Sequence, residues 1–164
     1  MGHPVLRQPG RQLEKADFRN PLVQTLIDDM IETMHEYNGV GLAAPQVHAS
    51  LRLFVALLDE DPDAKTSATV IVNPEIVPNA DTREDGWEGC LSIPRIYTDV
   101  TRPTSVRVQA WNLKARPFTL SVDGYLSRVI QHEFDHLNGI VFLDRIDQKK
   151  RLRLLVEYEA KVEA

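Results

Sequence analysis

Two histidines four positions apart, His132 and His136, bracket a glutamate in the run His132-Glu133-Phe134-Asp135-His136. On a helix with 3.6 residues per turn, positions four apart lie about 40° apart around the axis, so both imidazoles project from one face and reach one metal ion. Glu133 lies within about 100° of both on the same wheel and reaches a metal-bound water without ligating the ion. This is the H-E-x-x-H arrangement, two ligands plus a general base. The plain alternative is a surface helix with its histidines and acids in water. Val129, Ile130 and Leu137 argue against that, because they make this helix a core element.

A catalytic metal needs a third protein ligand. Metzincins continue the pattern as H-E-x-x-H-x-x-G-x-x-H. Gly139 fits that extension, but Phe142 stands at the third histidine position and cannot ligate. The other donors are His3, His35, His48, the carboxylates and the single cysteine, Cys90. A lone cysteine is ordinarily a small buried hydrophobe. Cys90, however, sits in Trp87-Glu88-Gly89-Cys90-Leu91-Ser92-Ile93-Pro94. Gly89 permits close backbone approach and Pro94 follows shortly, which reads as a shaped loop or strand edge.

The elements that must position these residues alternate in type. Asn20-Pro21 is a helix start, cap then proline at the first position. Leu22, Leu26, Ile27, Met30 and Met34 follow at helical spacing, and Gly39 is the expected C-terminal cap. Residues 51–58 are apolar enough for a buried strand, and 59–67, with Pro62, read as a loop. Thr69–Val72 and Glu75–Val77 read as short strands around Pro74, and Asn79–Gly86 as a polar turn. Val106, Val108 and Ala110 alternate with polar residues, as do Phe118, Leu120 and Val122, which predicts a hairpin through Asn112–Arg116. Asp123-Gly124 is expected to cap the metal-binding helix, about Tyr125–Asn138. Ile140–Leu143 is a short apolar segment, and residues 146–163 are expected to form a terminal helix. The whole reads as α+β: antiparallel strands packed around a central metal-binding helix, with an N-terminal and a C-terminal helix.

Composition fits one enzyme domain over residues 1–164. Hydrophobic content of 43% and charged content of 26% are ordinary globular values. One cysteine cannot form an intrachain disulfide, which points to a reducing compartment and a cytoplasmic, bacterial-type location. No apolar run is long enough for a membrane span, and Met1-Gly2-His3-Pro4 lacks a basic-then-apolar signal pattern. A net charge of −5 argues against general nucleic-acid binding. The local cationic run is Lys149-Lys150-Arg151, with Arg153 just beyond. A monomer is expected.

Three segments occur in order: Gly39-Val40-Gly41-Leu42-Ala43-Ala44-Pro45-Gln46, Glu88-Gly89-Cys90-Leu91-Ser92, and Gln131-His132-Glu133-Phe134-Asp135-His136. The first alone is a helix cap and a small-residue turn. Together they resemble the three signature motifs of the peptide deformylases, and the resemblance runs from Gly2-His3-Pro4-Val5-Leu6-Arg7 to about Arg145. It implies a hydrolase that removes the N-formyl group from the N-terminal methionine of nascent proteins and releases formate. It implies Cys90, His132 and His136 as ligands of one divalent ion, Fe(II) in the cell, with nickel, cobalt or zinc able to substitute. A Cys/His2 set taken on ligand softness alone suits zinc.

Three protein ligands leave a fourth position for water, as in a catalytic site. Glu133 then takes the water's proton and returns it to the leaving amine. Helical geometry alone does not separate Glu133 from Asp135; the motif does, and Asp135 is read as orienting an imidazole or a loop. Gln46, which the resemblance places at the metal, and the backbone N–H of Leu91 are the expected oxyanion donors. Val40, Tyr125 and Val129 are expected walls of a methionine slot, with His132 at its base. Gly41 and Gly89 would leave room for a substrate backbone, which could pair as an added strand. Glu88 and Arg102 are expected to form an ion pair bracing the Cys90 loop. Tyr97 stands where many relatives carry arginine, which removes a cationic contact to substrate there. The terminal helix would be the ribosome contact, although Glu157, Glu159 and Glu163 follow its short basic run. Two other classes fit parts of the pattern: a zincin-like peptidase with a carboxylate third ligand, and a non-catalytic domain with a closed structural metal site.

Overall fold

The computed structural model describes residues 2–58, 68–79, 81–146 and 153–154. Helix α1 is Pro21–Glu36, and the Asn20 side chain accepts from the Leu22 N–H at its start. Its end differs from expectation. The left-handed position is taken by Asn38, at φ 52°, and the Gly39 N–H then bonds back to the Met34 carbonyl. Asparagine tolerates that conformation because its short side chain bonds locally. Strands β1 (Gly41–Ala43), β2 (Leu53–Ala56), β3 (Thr69–Pro78), β6 (Ser105–Trp111) and β7 (Pro117–Asp123) form an antiparallel sheet in the order β1-β2-β3-β6-β7. The two short strands expected around Pro74 are one strand with a bulge, whose turn residue is Asn73 at φ 47°. The hairpin through 112–116 is present.

Helix α2 (Gly124–Leu137) lies on the face of the sheet opposite α1. Alternation makes both faces apolar. Leu53 and Val55 pack toward Val23, Ile27, Met30 and Met34 of α1. Phe54 and Ala56 pack toward Val129, Ile130 and Leu137 of α2. A strand buried on both faces reads as an unbroken apolar run, which is why 51–58 stands out in the sequence. Asp123 makes no side-chain bond at the start of α2; the turn there is Gly124, at φ 54°.

A second, smaller sheet has the order β4-β5-β8, from β4 (Arg83–Cys90), β5 (Ile93–Pro103) and β8 (Arg153–Leu154). Two of its features correct the sequence reading. Residues 83–86 belong to a strand, not to the polar turn. β5 has no apolar alternation to reveal it, since its inward positions include Thr98 and Arg102, both buried. The expected helix over 146–163 lies almost wholly outside the described residues. Of its residues, Ile146 is extended, and Arg153 and Leu154 pair as a strand with Tyr97 and Ile96. The ribosome contact assigned to that segment likewise falls outside them. Among the described residues, no helix is long and apolar enough to cross a membrane.

Candidate metal centre

Cys90 ends β4 and pairs with Ile93 across the two-residue turn Leu91-Ser92. A register shift between Glu88 and Cys90 turns the strand as it reaches α2. His132 and His136 stand one turn apart on α2, with ring centroids 5.0 Å apart. The donor atoms of Cys90, His132 and His136 all lie within 4.8 Å of one another. Cys90 Sγ is 3.3 Å from His136 Nε2. Metal–sulfur and metal–nitrogen bonds of about 2.3 and 2.0–2.1 Å at tetrahedral angles put such atoms about 3.6 Å apart, so the cluster fits one small cation. This donor group contains no carboxylate, which removes the support for a zincin-like third ligand, and three donors do not close a structural site. His3, His35 and His48 are not part of it.

The electrostatics agree. His132 is pushed up to about 10: burial opposes the charge, but hydrogen bonds to Cys90 and Glu88 outweigh it. Positive charge is therefore favoured at this spot, where a cation would replace the proton. His136 is held down to about 3 by burial, with His132 and Arg102 adding repulsion, so it is a neutral donor. Burial drives the Glu133 carboxyl up to about 7, against the pull of His132. Glu133 Oε2 is buried without a hydrogen-bond partner among the described atoms. A proton-accepting group poised near neutrality beside three metal donors is the arrangement general-base chemistry needs.

Gln46 follows β1 in a short 3₁₀ turn, Ala44–Val47. Its side-chain oxygen accepts from the Ala43 N–H at 2.8 Å, which fixes the amide. The NH2 end donates to Ser92 Oγ at 3.2 Å and lies 3.6 Å from Cys90 Sγ. Leu91, exposed, follows Cys90 directly in the turn. Gly41 lies against α2: a Cβ there would come within 2.6 Å of Glu133 Oε1. The space on that side of Gly41 is thus taken by the Glu133 carboxylate. At Gly89 a Cβ would meet the Tyr97 ring at 2.5 Å, so Tyr97 covers the strand beside Cys90. Val40 and Tyr125 are exposed, while Val129 is buried against the large sheet.

Beneath the donors lies a buried charge network. Glu88 Oε2 accepts from His132 Nδ1 at 3.0 Å. A carboxylate only accepts, so Nδ1 carries the proton and Nε2 is left for the metal. Arg102 forks onto Glu88 through Nε (2.6 Å) and Nη2 (2.9 Å). Glu88 is accordingly held down to about 2, against the effect of its burial. The Glu88–Arg102 pair is present as expected. The Asp135 side chain bonds to Arg102 of β5 and to Arg145 in the turn Phe142–Arg145; of the two expected partners, an imidazole or a loop, it meets no imidazole. Arg102 and Glu88 link it to His132. Sequence reasoning missed Arg128, Arg145 and Ser92. It also missed that Phe142, which excluded a third histidine, stacks on His132 at 6.0 Å between ring centroids.

The chain is an α+β protein whose H-E-x-x-H helix meets a cysteine delivered from the second sheet, the arrangement of a metalloprotein site. Residues 1–152 match the model of the polypeptide deformylase family, and the chain belongs to that family. A peptide deformylase of Synechococcus sp. (strain CC9605) is 42% identical over 93% of this chain and 74% of its own length. One from Thermotoga maritima is also 42% identical, over 93% and 88%. Among solved structures, a peptide deformylase from Synechococcus elongatus in complex with actinonin superposes with a TM-score of 0.82 at 44% identity, covering 90% of this chain and 78% of that one. A Met-Ala-Ser-bound enzyme from Acinetobacter baumannii gives 0.82 at 35% identity, over 89% and 94%. Members of the family remove N-formyl groups from nascent peptides.

Proposed function

We propose that this chain is a metal-dependent deformylase acting on N-formyl-methionyl peptides as a monomer. The observation that carries the reading is the Cys90/His132/His136 cluster with the buried Glu133 carboxylate beside it. All three donors come from one chain. When bound, a divalent cation lowers the pKa of a water to about 7 in favourable cases and polarises the formyl carbonyl. Glu133 accepts the proton of the attacking water and passes it to the departing amine. The Gln46 NH2 and the Leu91 N–H stabilise the oxyanion as the carbonyl carbon becomes tetrahedral. Cleavage of the carbon–nitrogen bond yields formate and the free amino terminus. Glu88 and Arg102 keep His132 in the required tautomer. β1 pairs only with β2 among the described strands, so its outer edge offers an extended peptide a partner. Val40, Tyr125 and Val129 receive the methionine side chain. The Met-Ala-Ser-bound relative supports a methionine-first peptide.

Fe(II) is the proposed resident ion, with zinc, nickel or cobalt as substitutes. Protein loaded without air with Fe(II), and separately with Ni(II), is expected to release formate and free amine in equal amounts from formyl-Met-Ala-Ser. Elemental analysis should give one metal per chain. Formate release no faster than buffer from both the Fe(II) and the Ni(II) protein would overturn the reading. Gln46→Ala is expected to lower kcat by about 10²–10³ with little change in KM, since its donor meets charge present only in the transition state. A rise in KM with kcat intact would reassign Gln46 to ground-state binding.

A further inference from the structure

Arg128 is one helical turn before His132, on the buried side of α2. Its guanidinium makes four hydrogen bonds. Nη1 donates to Glu88 Oε1 (3.0 Å), Val100 O (2.7 Å) and Gly86 O (3.2 Å), and Nη2 donates to Glu84 O (3.2 Å). Glu84, Gly86 and Glu88 lie on β4, the strand that ends at Cys90, and Val100 lies on β5. A Cβ at Gly86 would come within 2.7 Å of Cζ, Nε and Nη2, so the guanidinium fills the space that any other residue's side chain would need. Three of the four acceptors are backbone carbonyls. An ion-pair partner for Glu88 alone would not require them, because Arg102 already forks onto that carboxylate.

We infer that Arg128 is a positioning residue for the metal centre: it locks helix α2, which carries His132 and His136, to strand β4, which carries Cys90. The donors of the site come from two separate elements. Their spacing depends on how α2 sits along β4. Arg128 ties the two together a few residues from the donors on each side. It also occupies Glu88 Oε1 while Oε2 receives His132 Nδ1, so the same guanidinium steadies the imidazole tautomer. A carboxylate has about four acceptor sites, and Arg102, Arg128 and His132 account for the four bonds it receives. Remote partners of this kind typically alter metal affinity by about 10–100-fold.

The inference rests on the Cys90/His132/His136 reading, and its test separates the two. Arg128→Met keeps a long apolar stem and removes the donors. Gly86→Ala keeps the arginine but pushes the guanidinium off its carbonyls. Arg128→Lys restores the charge without the fork. Each protein is loaded with Co(II), and two quantities are read: the rate of Co(II) release to a chelator, and the thiolate-to-cobalt and d–d absorption bands. Val108→Ala, in the large sheet, is the control for plain destabilisation. Arg128→Met and Gly86→Ala are expected to release Co(II) about 10–100-fold faster and to shift the absorption bands, with Lys intermediate and the control at the parent rate. If Arg128→Met fails to fold, Gly86→Ala and Arg128→Lys decide. Parent-like release and spectra in the folded variants would make Arg128 a packing residue and overturn the inference. A parent protein with no thiolate-to-cobalt band would instead overturn the ligand assignment itself.

Discussion

Glu133→Gln is expected to bind metal at the parent stoichiometry and to lose ~10²–10⁴ in kcat on a formyl-Met peptide. Glutamine keeps the size of the side chain and one oxygen but cannot accept a proton. Without metal, burial raises the carboxyl to about 7; a bound cation would pull it back toward the ionised form that accepts the water's proton. Substrate and product should still bind, so KM should move little. Asp135→Asn provides the contrast. Asp135 is held by Arg102 and Arg145 and touches no reacting atom. Its variant is expected to retain much of kcat and to lose stability or metal, because it leaves a buried guanidinium short of its charge partner. Measuring kcat and bound metal for both variants settles the assignment. Should Asp135→Asn abolish turnover with metal intact while Glu133→Gln stays active, the roles must be exchanged.

Cys90→Ser is expected to lose most bound metal and nearly all activity, since a serine hydroxyl is a much harder and less acidic ligand than a thiol. In the parent, metal should shield the sulfur. Alkylation of Cys90 should be slow in loaded protein and fast after chelation, and metal affinity should fall with acid as donors take up protons. Metal-free protein is expected to keep its fold, because both helices pack on the large sheet without help from the donors. Alkylation of the loaded protein with no loss of metal would refute the three-ligand assignment. Peroxide should inactivate the Fe(II) form faster than the Ni(II) form.

What could be read from the sequence followed the chemistry of its faces. The donor cluster was legible because a histidine pair at helical spacing is a local pattern, and the resemblance supplied Cys90. α1, β2 and the 112–116 hairpin were legible because apolar periodicity marks elements that bury apolar faces. β5 was not, because its inward residues face a charged network and carry Thr98 and Arg102 where a strand usually carries valine. Arg128 was hidden for the same reason. A single arginine on a helix reads as solvated until its four acceptors are assembled from two strands distant in sequence. The one available signal was its spacing, one turn before His132 on a helix that also carries Leu126, Val129 and Ile130. Asp135 was legible only as an acid beside the histidine pair, since helix geometry gives direction and not which arginines arrive there.

Gly41, Gly86 and Gly89 share a property that a list of backbone angles would not reveal. None has positive φ, so an L-residue could adopt each backbone shape. Each is instead filled from outside, by the Glu133 carboxylate, the Arg128 guanidinium and the Tyr97 ring respectively. A missing methyl thus serves three times as a socket for another residue's functional group. Sequence drift at such a position is constrained by a distant side chain rather than by its own conformation. Each socket and its occupant should therefore change together over evolutionary time, or not at all.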